Sequence, residues 1–177
     1  MRFTTLRGRM LAAAIMTALI GTMTASVAFG SPSTLNAARA ATARFNSLNQ
    51  AIKAGYGLPP EGVPLHECIM SGDGSAGMGF HYLNGTLLDG SVDSTTPEAL
   101  VYAPDRNGHL RLVAAEYVVF QAAWNGSDPP RLFGEEFTLV PSPNRYNIPA
   151  FFELHAWIWE KNPDGVFADF NPNVSCG

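Results

Sequence analysis

Residues 109–120 read HLRLVAAEYVVF, an apolar stretch with one carboxylate, Glu116, among β-branched and aromatic residues. Such residues favour a β-strand because their side chains pack well on a pleated surface. Residues 99–103 form a second run of this kind, and the turn-forming sequence PDRNG at residues 104–108 lies between the two. The pattern predicts a β-hairpin.

Turn-forming sequences recur at short intervals beyond Pro60 and predict further antiparallel strands. The other strand candidates are residues 133–140, 154–161 and 166–170. The sequence NPDG at residues 162–165 predicts a hairpin turn between the last two. Residues 150–161 leave two structures open. Their aromatic residues alternate as in a strand, whereas Pro149 would also suit the first turn of a helix; the turn that follows favours the strand.

Residues 33–53 predict one helix. Their apolar residues recur at steps of three and four and form a single stripe: Leu35, Ala38, Ala41, Phe45, Leu48 and Ile52. Ser33 or Thr34 can cap the start, and Gly55 suits the end. The predicted fold class is therefore α+β, with an N-terminal helix packed on a curved antiparallel β-sheet or small β-barrel.

The first thirty residues have the pattern of a secretory signal peptide: arginines, then an apolar segment, then small residues. An uncleaved membrane anchor is the alternative. Thr, Ser and Gly at residues 21–26 weaken it, because a membrane span needs about 20 strongly apolar residues. We expect residues 1–30 to be removed from a secreted protein with a bacterial type of leader. Residues 31–177 would remain as a single α+β domain without a membrane span.

The mature chain would be acidic. The leader contains three of the 11 basic residues and none of the 15 acidic ones, which leaves 8 basic against 15 acidic residues and a formal charge of −7. An acidic surface repels phosphate backbones, so nucleic acid is not an expected partner.

Cys68 and Cys176 are the two cysteines of the chain. In an oxidising compartment such a pair most simply forms a disulfide. It would tie the C-terminal tail to the start of the sheet. Closing a loop of about a hundred residues is worth on the order of 4 kcal/mol in the chain-entropy model. A thiolate metal ligand or a nucleophile is the alternative, although the spacing fits no cysteine-based zinc pattern.

Three short apolar runs each contain one ionisable residue near the centre: His81, Glu116 and His155. Burial of such a group costs free energy unless it finds a partner. Two imidazoles and a carboxylate are the ligand set of many iron, zinc and copper sites, so the three side chains could share one divalent metal ion. The structural alternative is that Glu116 hydrogen-bonds one histidine or tyrosine in an apolar core while the other histidine lies at the surface.

Alternation along a strand places Glu116 on an almost wholly apolar face, together with Leu110, Leu112, Ala114, Val118 and Phe120. We expect this to be the inner face. The predicted pocket is lined by His81, Tyr82, Glu116, Tyr117, His155 and Trp157. His66 beside the Cys68 loop and His109 after a turn glycine have simpler explanations, as a loop residue and a solvent-exposed residue.

These residues favour a secreted domain that binds a small molecule or a metal ion in an internal pocket. A second interpretation is an enzyme in which Glu116, with a pKa raised by its apolar surroundings, acts as general acid or base beside His81 and His155. A third is a cell-surface interaction protein that uses a sheet edge or an aromatic patch. The sequence contains no Gly-x-Ser-x-Gly elbow and no phosphate-binding glycine loop, so it does not support a serine hydrolase of that type or a nucleotide enzyme.

Overall fold

The computed structural model describes Met1 and residues 32–177. Apart from Met1, the predicted signal peptide lies outside the described residues, and its cleavage stays a prediction. In the part of the chain that the model describes, no helix combines the length and the apolar character needed to cross a membrane.

Two α-helices begin the described chain, α1 at Pro32–Thr42 and α2 at Leu48–Lys53. A 3-10 turn, Ala43–Asn46, connects them. The prediction of one continuous helix over residues 33–53 is therefore wrong in the middle. Shorter 3-10 turns lie in the later connections, at Pro64–His66, Gly85–Leu87 and Gln121–Ala123.

Two side-chain hydrogen bonds to helix carbonyls accompany the interruption of the helix. The Thr42 hydroxyl donates to the Ala38 carbonyl at 2.8 Å, a contact of the kind that bends helices. The hydroxyl of Tyr102, which belongs to the sheet, donates to the Phe45 carbonyl at 2.6 Å. Phe45 itself is buried against the sheet. Tertiary contacts thus override the local preference for helix at residues 43–47.

The strands are β1 Ile69–Met70, β2 Gly77–Leu83, β3 Ala99–Pro104, β4 Leu110–Phe120, β5 Arg131–Leu132, β6 Glu135–Glu136, β7 Thr138–Val140 and β8 Phe151–Ala156. Six of them form one antiparallel sheet in the order β1-β2-β3-β4-β8-β7, and β5 pairs with β6 separately. The six-stranded sheet is curled into a half-barrel, which confirms the α+β class with a curved sheet. The β3–β4 hairpin is also confirmed.

The C-terminal region differs from the predicted hairpin. Residues 154–161 are strand only as far as Ala156, and residues 166–170 contain no strand. The turn at residues 162–165 does form, with Gly165 N–H donating to the Asn162 carbonyl at 3.3 Å. Beyond it the chain is held by isolated contacts, such as Trp157 N–H to the Val166 carbonyl at 2.8 Å, rather than by a ladder.

A β-bulge in the β3–β4 hairpin changes which side chains share a face. Val101 pairs with Ala114 and Tyr102 pairs with Leu112, so Val113 is an extra residue on β4. Leu112 therefore packs with Tyr82, Leu100 and Tyr102, whereas Ala114 lies with Val101 and Trp157. Both faces of β4 are buried along most of its length, which corrects the prediction of a single inner face.

The helical segment covers one face of the sheet. Ala38 of α1 packs with Tyr117 and Leu154, and Phe45 packs with Tyr82. Loops and the C-terminal segment cover the opposite face, where the buried apolar side chains include Ile69, Met78, Val118, Tyr146 and Phe151. This second face carries the ionisable residues.

A disulfide joins Cys68 to Cys176 across 108 residues, with a Cα–Cα distance of 5.7 Å, and confirms the predicted pairing. It links the residue before β1 to the penultimate residue of the chain. The tail also bonds to β2, because Gly77 and Asn171 exchange backbone hydrogen bonds of 3.1 and 2.9 Å. Val174 then packs with Trp157. The C-terminal segment is therefore fixed on the face that carries the site.

Candidate metal centre

Three strands bring the ionisable residues together. His81 lies on β2, Glu116 on β4 and His155 on β8, and Glu116 is the direct cross-strand partner of His155. β3 separates β2 from β4 and presents Ala99 opposite Glu116 and Val101 opposite His81. Because Ala99 and Val101 are short, the larger side chains on the two flanking strands can meet above β3.

The three side chains form a compact triangle of donor atoms. His81 Nε2 lies 3.3 Å from His155 Nε2 and 3.4 Å from Glu116 Oε2. His155 Nε2 lies 3.8 Å from Glu116 Oε1. An ion bound to three atoms about 3.4 Å apart would lie about 2 Å from each of them, which is the length of a Zn–N or Zn–O bond. The distances of 3.3 and 3.4 Å match this spacing, and the 3.8 Å distance, which runs to the other carboxylate oxygen of Glu116, is slightly longer.

Burial makes this cluster costly unless it has a partner. His81 is 2% exposed, His155 1% and Glu116 5%. The Nδ1 atoms of both histidines are buried and have no hydrogen-bond partner. A buried polar atom without a partner costs about 1–3 kcal/mol. A ligand that gave the cluster a strong interaction at Nε2 would offset part of this cost.

Both imidazoles are neutral at ordinary pH. Burial lowers the pKa of His81 to about 4, and the carbonyl of Gly79 opposes this only in part, without reaching hydrogen-bond geometry at Nδ1. Burial, followed by the neighbouring His81, lowers the pKa of His155 to about 3. A neutral imidazole is the form that binds a metal ion.

The carboxyl group of Glu116 is shifted the other way. Burial first, and then the nearby charge of Glu153, raise the pKa of Glu116 well above its usual range. Glu153 lies two residues before His155 on the same strand face, and burial with the charge of Asp169 raises its pKa to about 7. These shifts favour two neutral rings and a protonated carboxyl group in the metal-free cluster, and a cation would replace that proton.

Aromatic side chains lie on both sides of the sheet. Trp157 stacks on His155 with ring centroids 6.0 Å apart, and its Nε1 donates to the Ala168 carbonyl at 2.5 Å. Tyr82 and Tyr117 lie on the opposite face, in the apolar clusters under the helical segment. The structure thus brings His81, Glu116, His155 and Trp157 together, and it does not bring Tyr82 or Tyr117 to them.

A small cavity of about 30 Å³ adjoins the cluster. His81, Glu116 and Glu153 form part of its wall, and the rest is apolar: Leu65, Leu83, Leu88, Val118, Phe120, Tyr146, Ile148 and Phe151. The sequence did not indicate Leu65, Leu88, Tyr146 or Ile148, because all four come from loops. Glu153 could have been predicted from the sequence, because residues two apart on a strand share a face and Glu153 lies two residues before His155.

The remaining histidines lie away from the cluster. His66 Nδ1 contacts the Pro59 carbonyl at 2.6 Å in the loop before the disulfide. The side chain of His109 is 82% exposed, beside Asp105. Both positions agree with the structural roles expected from the sequence.

No protein-family model, no curated protein and no solved structure matches this chain. Among the described residues, His81, Glu116 and His155 form a group whose ligand atoms all lie within 4.8 Å of one another, and this group could hold a metal ion.

Proposed function

We propose that the mature protein is a secreted domain that binds one divalent metal ion through His81 Nε2, His155 Nε2 and the Glu116 carboxylate. The observation that carries the proposal is the convergence of these donor atoms within 4.8 Å in a buried site. An apolar core has no need for three such groups, and isolated buried polar groups destabilise a fold.

The size of the cavity favours a metal ion over an organic ligand. Pockets for small organic molecules measure about 300–1,000 Å³, whereas the cavity beside the cluster measures about 30 Å³. An ion would lie within the triangle of donor atoms and needs no further space. Of the two ligand classes expected from the sequence, a small molecule and a metal ion, the cavity size favours the metal ion.

The donor set indicates which ions fit. Two imidazole nitrogens and one carboxylate suit Zn²⁺, Fe²⁺ or Cu²⁺, whereas Mg²⁺ and Ca²⁺ prefer oxygen ligands. A metal-bound histidine usually donates its other ring N–H to an acceptor. For His81 the backbone of Gly79 supplies a polar group close enough to affect the ring.

Two features support export. The first thirty residues carry the signal-peptide pattern, and the disulfide between Cys68 and Cys176 fits an oxidising compartment. The proposal of a cell-surface interaction protein has less support. Among the described residues, the exposed large hydrophobic side chains are Met1, Ile52 and Leu139, and none is aromatic.

An enzyme is the second candidate. Catalytic zinc sites commonly use three protein ligands and leave the fourth position for water or substrate. His81, Glu116 and His155 provide three ligands, and the cavity adjoins two of them. The Glu116 carboxylate would then serve as a ligand rather than as the general base expected from the sequence.

Metal binding can be tested on untagged mature protein after treatment with a chelator. Zn²⁺ and Co²⁺ would be titrated into the wild type and into His81→Ala, His155→Ala and His109→Ala. We expect one ion per chain for the wild type and for His109→Ala, the matched control at an exposed position. The two buried variants should bind at least about a hundredfold more weakly. Equal binding by all four proteins, or none by the wild type, would refute the proposal.

A further inference from the structure

The cavity beside the proposed metal centre limits what could bind to the metal. It measures about 30 Å³, and His81 and Glu116 form part of its wall. One water molecule needs about 10–15 Å³ of such cavity volume, so the cavity has room for about two water-sized groups. A ligand at the open coordination position can therefore have one or two heavy atoms, while a sugar, a peptide or an aromatic ring cannot fit.

The chemical character of the wall narrows the choice further. Val118, Phe120 and Phe151 contribute apolar side chains from the sheet, and Leu88 contributes one from a loop. Besides the proposed metal ligands His81 and Glu116, the residues of this wall that carry polar groups are Glu153 and Tyr146. A ligand with several hydrogen-bonding groups would leave most of them unpaired, which is unfavourable in an apolar site.

Glu153 also faces the cavity, beside Glu116. A bound anion would be attracted by the metal ion but repelled by the acidic side chain of Glu153 at close range. A neutral diatomic molecule carries no charge and needs no hydrogen bonds, so it meets neither this repulsion nor the cost of unpaired polar groups.

We infer that the open position of the proposed metal centre takes a neutral diatomic molecule, such as dioxygen or nitric oxide, and that the cavity wall excludes organic substrates. The inference rests on the proposed function, because the diatomic ligand binds to the metal. Two histidines and one carboxylate with open positions are also a ligand set that iron(II) uses to bind such molecules.

The test uses untagged mature protein loaded with Fe²⁺ under anaerobic conditions. Addition of nitric oxide should give the S = 3/2 signal of an iron nitrosyl in electron paramagnetic resonance, at about one spin per bound iron. Imidazole, added to the Co²⁺-loaded protein, should leave the visible spectrum of the cobalt unchanged because its ring exceeds the cavity.

Two variants change the cavity while keeping the three metal ligands. Val118→Leu adds one methylene group to the wall and should reduce the nitrosyl signal at least tenfold at an unchanged iron content. Leu88→Ala removes side-chain volume and should admit imidazole, with Leu139→Ala at an exposed position as the control. Metal content and far-ultraviolet circular dichroism are measured for each variant, and Leu83→Phe replaces Val118→Leu if that chain does not fold.

The outcomes separate the two proposals. A wild-type chain that takes up no metal overturns both the proposed function and this inference. If the wild type binds one iron per chain but gives no nitrosyl signal, the inference alone is overturned. The remaining coordination position would then be closed or occupied by water. Imidazole binding by the wild-type Co²⁺ protein also overturns the inference alone, since it shows that the wall does not select by size.

Discussion

Glu116 and His155 are direct cross-strand partners on β4 and β8, with Glu116 Oε1 3.8 Å from His155 Nε2. Directly opposed residues on one face of an antiparallel pair have Cβ atoms about 4.5–5.5 Å apart. Their proximity is therefore a consequence of strand register and needs no loop. His81 joins them from the other side of β3. All three proposed ligands thus belong to strands of one sheet.

Metal binding should release a proton from Glu116. The histidines have pKa values of about 4 and 3 and are already neutral at pH 6, whereas burial and the charge of Glu153 raise the pKa of Glu116 and favour its protonated form. Binding of a divalent ion requires the carboxylate, so about one proton should leave per ion bound. Isothermal titration calorimetry at pH 6 in two buffers with different ionisation enthalpies measures this number.

The control for proton release is Glu116→Gln, which has no proton to lose at this position. It should bind the ion more weakly and release about one proton fewer than the wild type. Zero protons released by the wild type would contradict the protonated state that burial and Glu153 impose on Glu116.

Glu98 should make stability depend on pH. It is 2% exposed, accepts a hydrogen bond from Val118 N–H at 3.0 Å, and has a pKa raised by burial from 4.5 to about 7. The pKa of Glu98 is higher in the folded state than in the unfolded state. Protonation of Glu98 therefore stabilises the fold fully below pH 4.5, and this stabilisation is lost as the pH rises through 7. In Glu98→Gln this loss is absent, since the amide stays neutral and its oxygen can still accept the bond.

Urea unfolding at pH 4.5 and pH 8 tests the role of Glu98. From pH 4.5 to 8, the free energy of unfolding of Glu98→Gln should rise relative to that of the wild type by up to about 3 kcal/mol. Glu61→Gln changes an exposed carboxylate and serves as the control. A constant difference between Glu98→Gln and wild type across this range would rule out a raised Glu98 pKa.

Gly79→Ala should destabilise the sheet next to the site. Gly79 has φ +110°, and a Cβ atom there would lie 2.5 Å from the Tyr102 carbonyl oxygen. Both the backbone strain and the clash oppose alanine, so we expect a loss of at least about 2 kcal/mol. Urea unfolding of the metal-free protein measures it. Gly72→Ala is the matched control, because a Cβ atom at Gly72 would meet nothing within 4 Å; equal effects of both changes would be the contrary result.

Removal of the disulfide should destabilise the domain strongly. The bond between Cys68 and Cys176 closes a loop with a sequence separation of 108. In the chain-entropy model such a loop is worth about 4–5 kcal/mol. The double variant Cys68→Ser, Cys176→Ser should unfold at a correspondingly lower urea concentration. Metal affinity should fall as well, because Val174 in the released tail packs with Trp157, which stacks on His155.

A metal affinity unchanged by the double variant would show that the tail does not support the site. A loss of stability below about 1 kcal/mol would show that the unfolded chain is already restricted without the bond.

Much of the local structure could be predicted from short-range patterns. The β3–β4 hairpin follows from two apolar strands on either side of a Pro-Asp-Arg-Asn-Gly turn, and the disulfide follows from two cysteines in a chain with an export pattern. The prediction of a continuous helix was wrong at residues 43–47. The Tyr102 hydroxyl that binds the Phe45 carbonyl lies far away in the sequence, so no local pattern indicates it. The prediction of a strand over residues 166–170 was wrong, because a turn reverses the direction of the chain but does not ensure that a ladder of hydrogen bonds forms after it.

Side-chain chemistry and alternation are local properties, so the amino-acid order is enough to indicate which residue types enter the core and that His81, Glu116 and His155 interrupt apolar runs. That these three side chains meet is visible only in the folded chain. The meeting depends on strand order and on the registers of β2–β3, β3–β4 and β4–β8. It also depends on the bulge at Val113, which shifts the alternation of β4 so that Glu116 shares a face with Ala114 but not with Leu112. Register and bulges are set by cross-strand packing between residues distant in sequence, so no local pattern carries them.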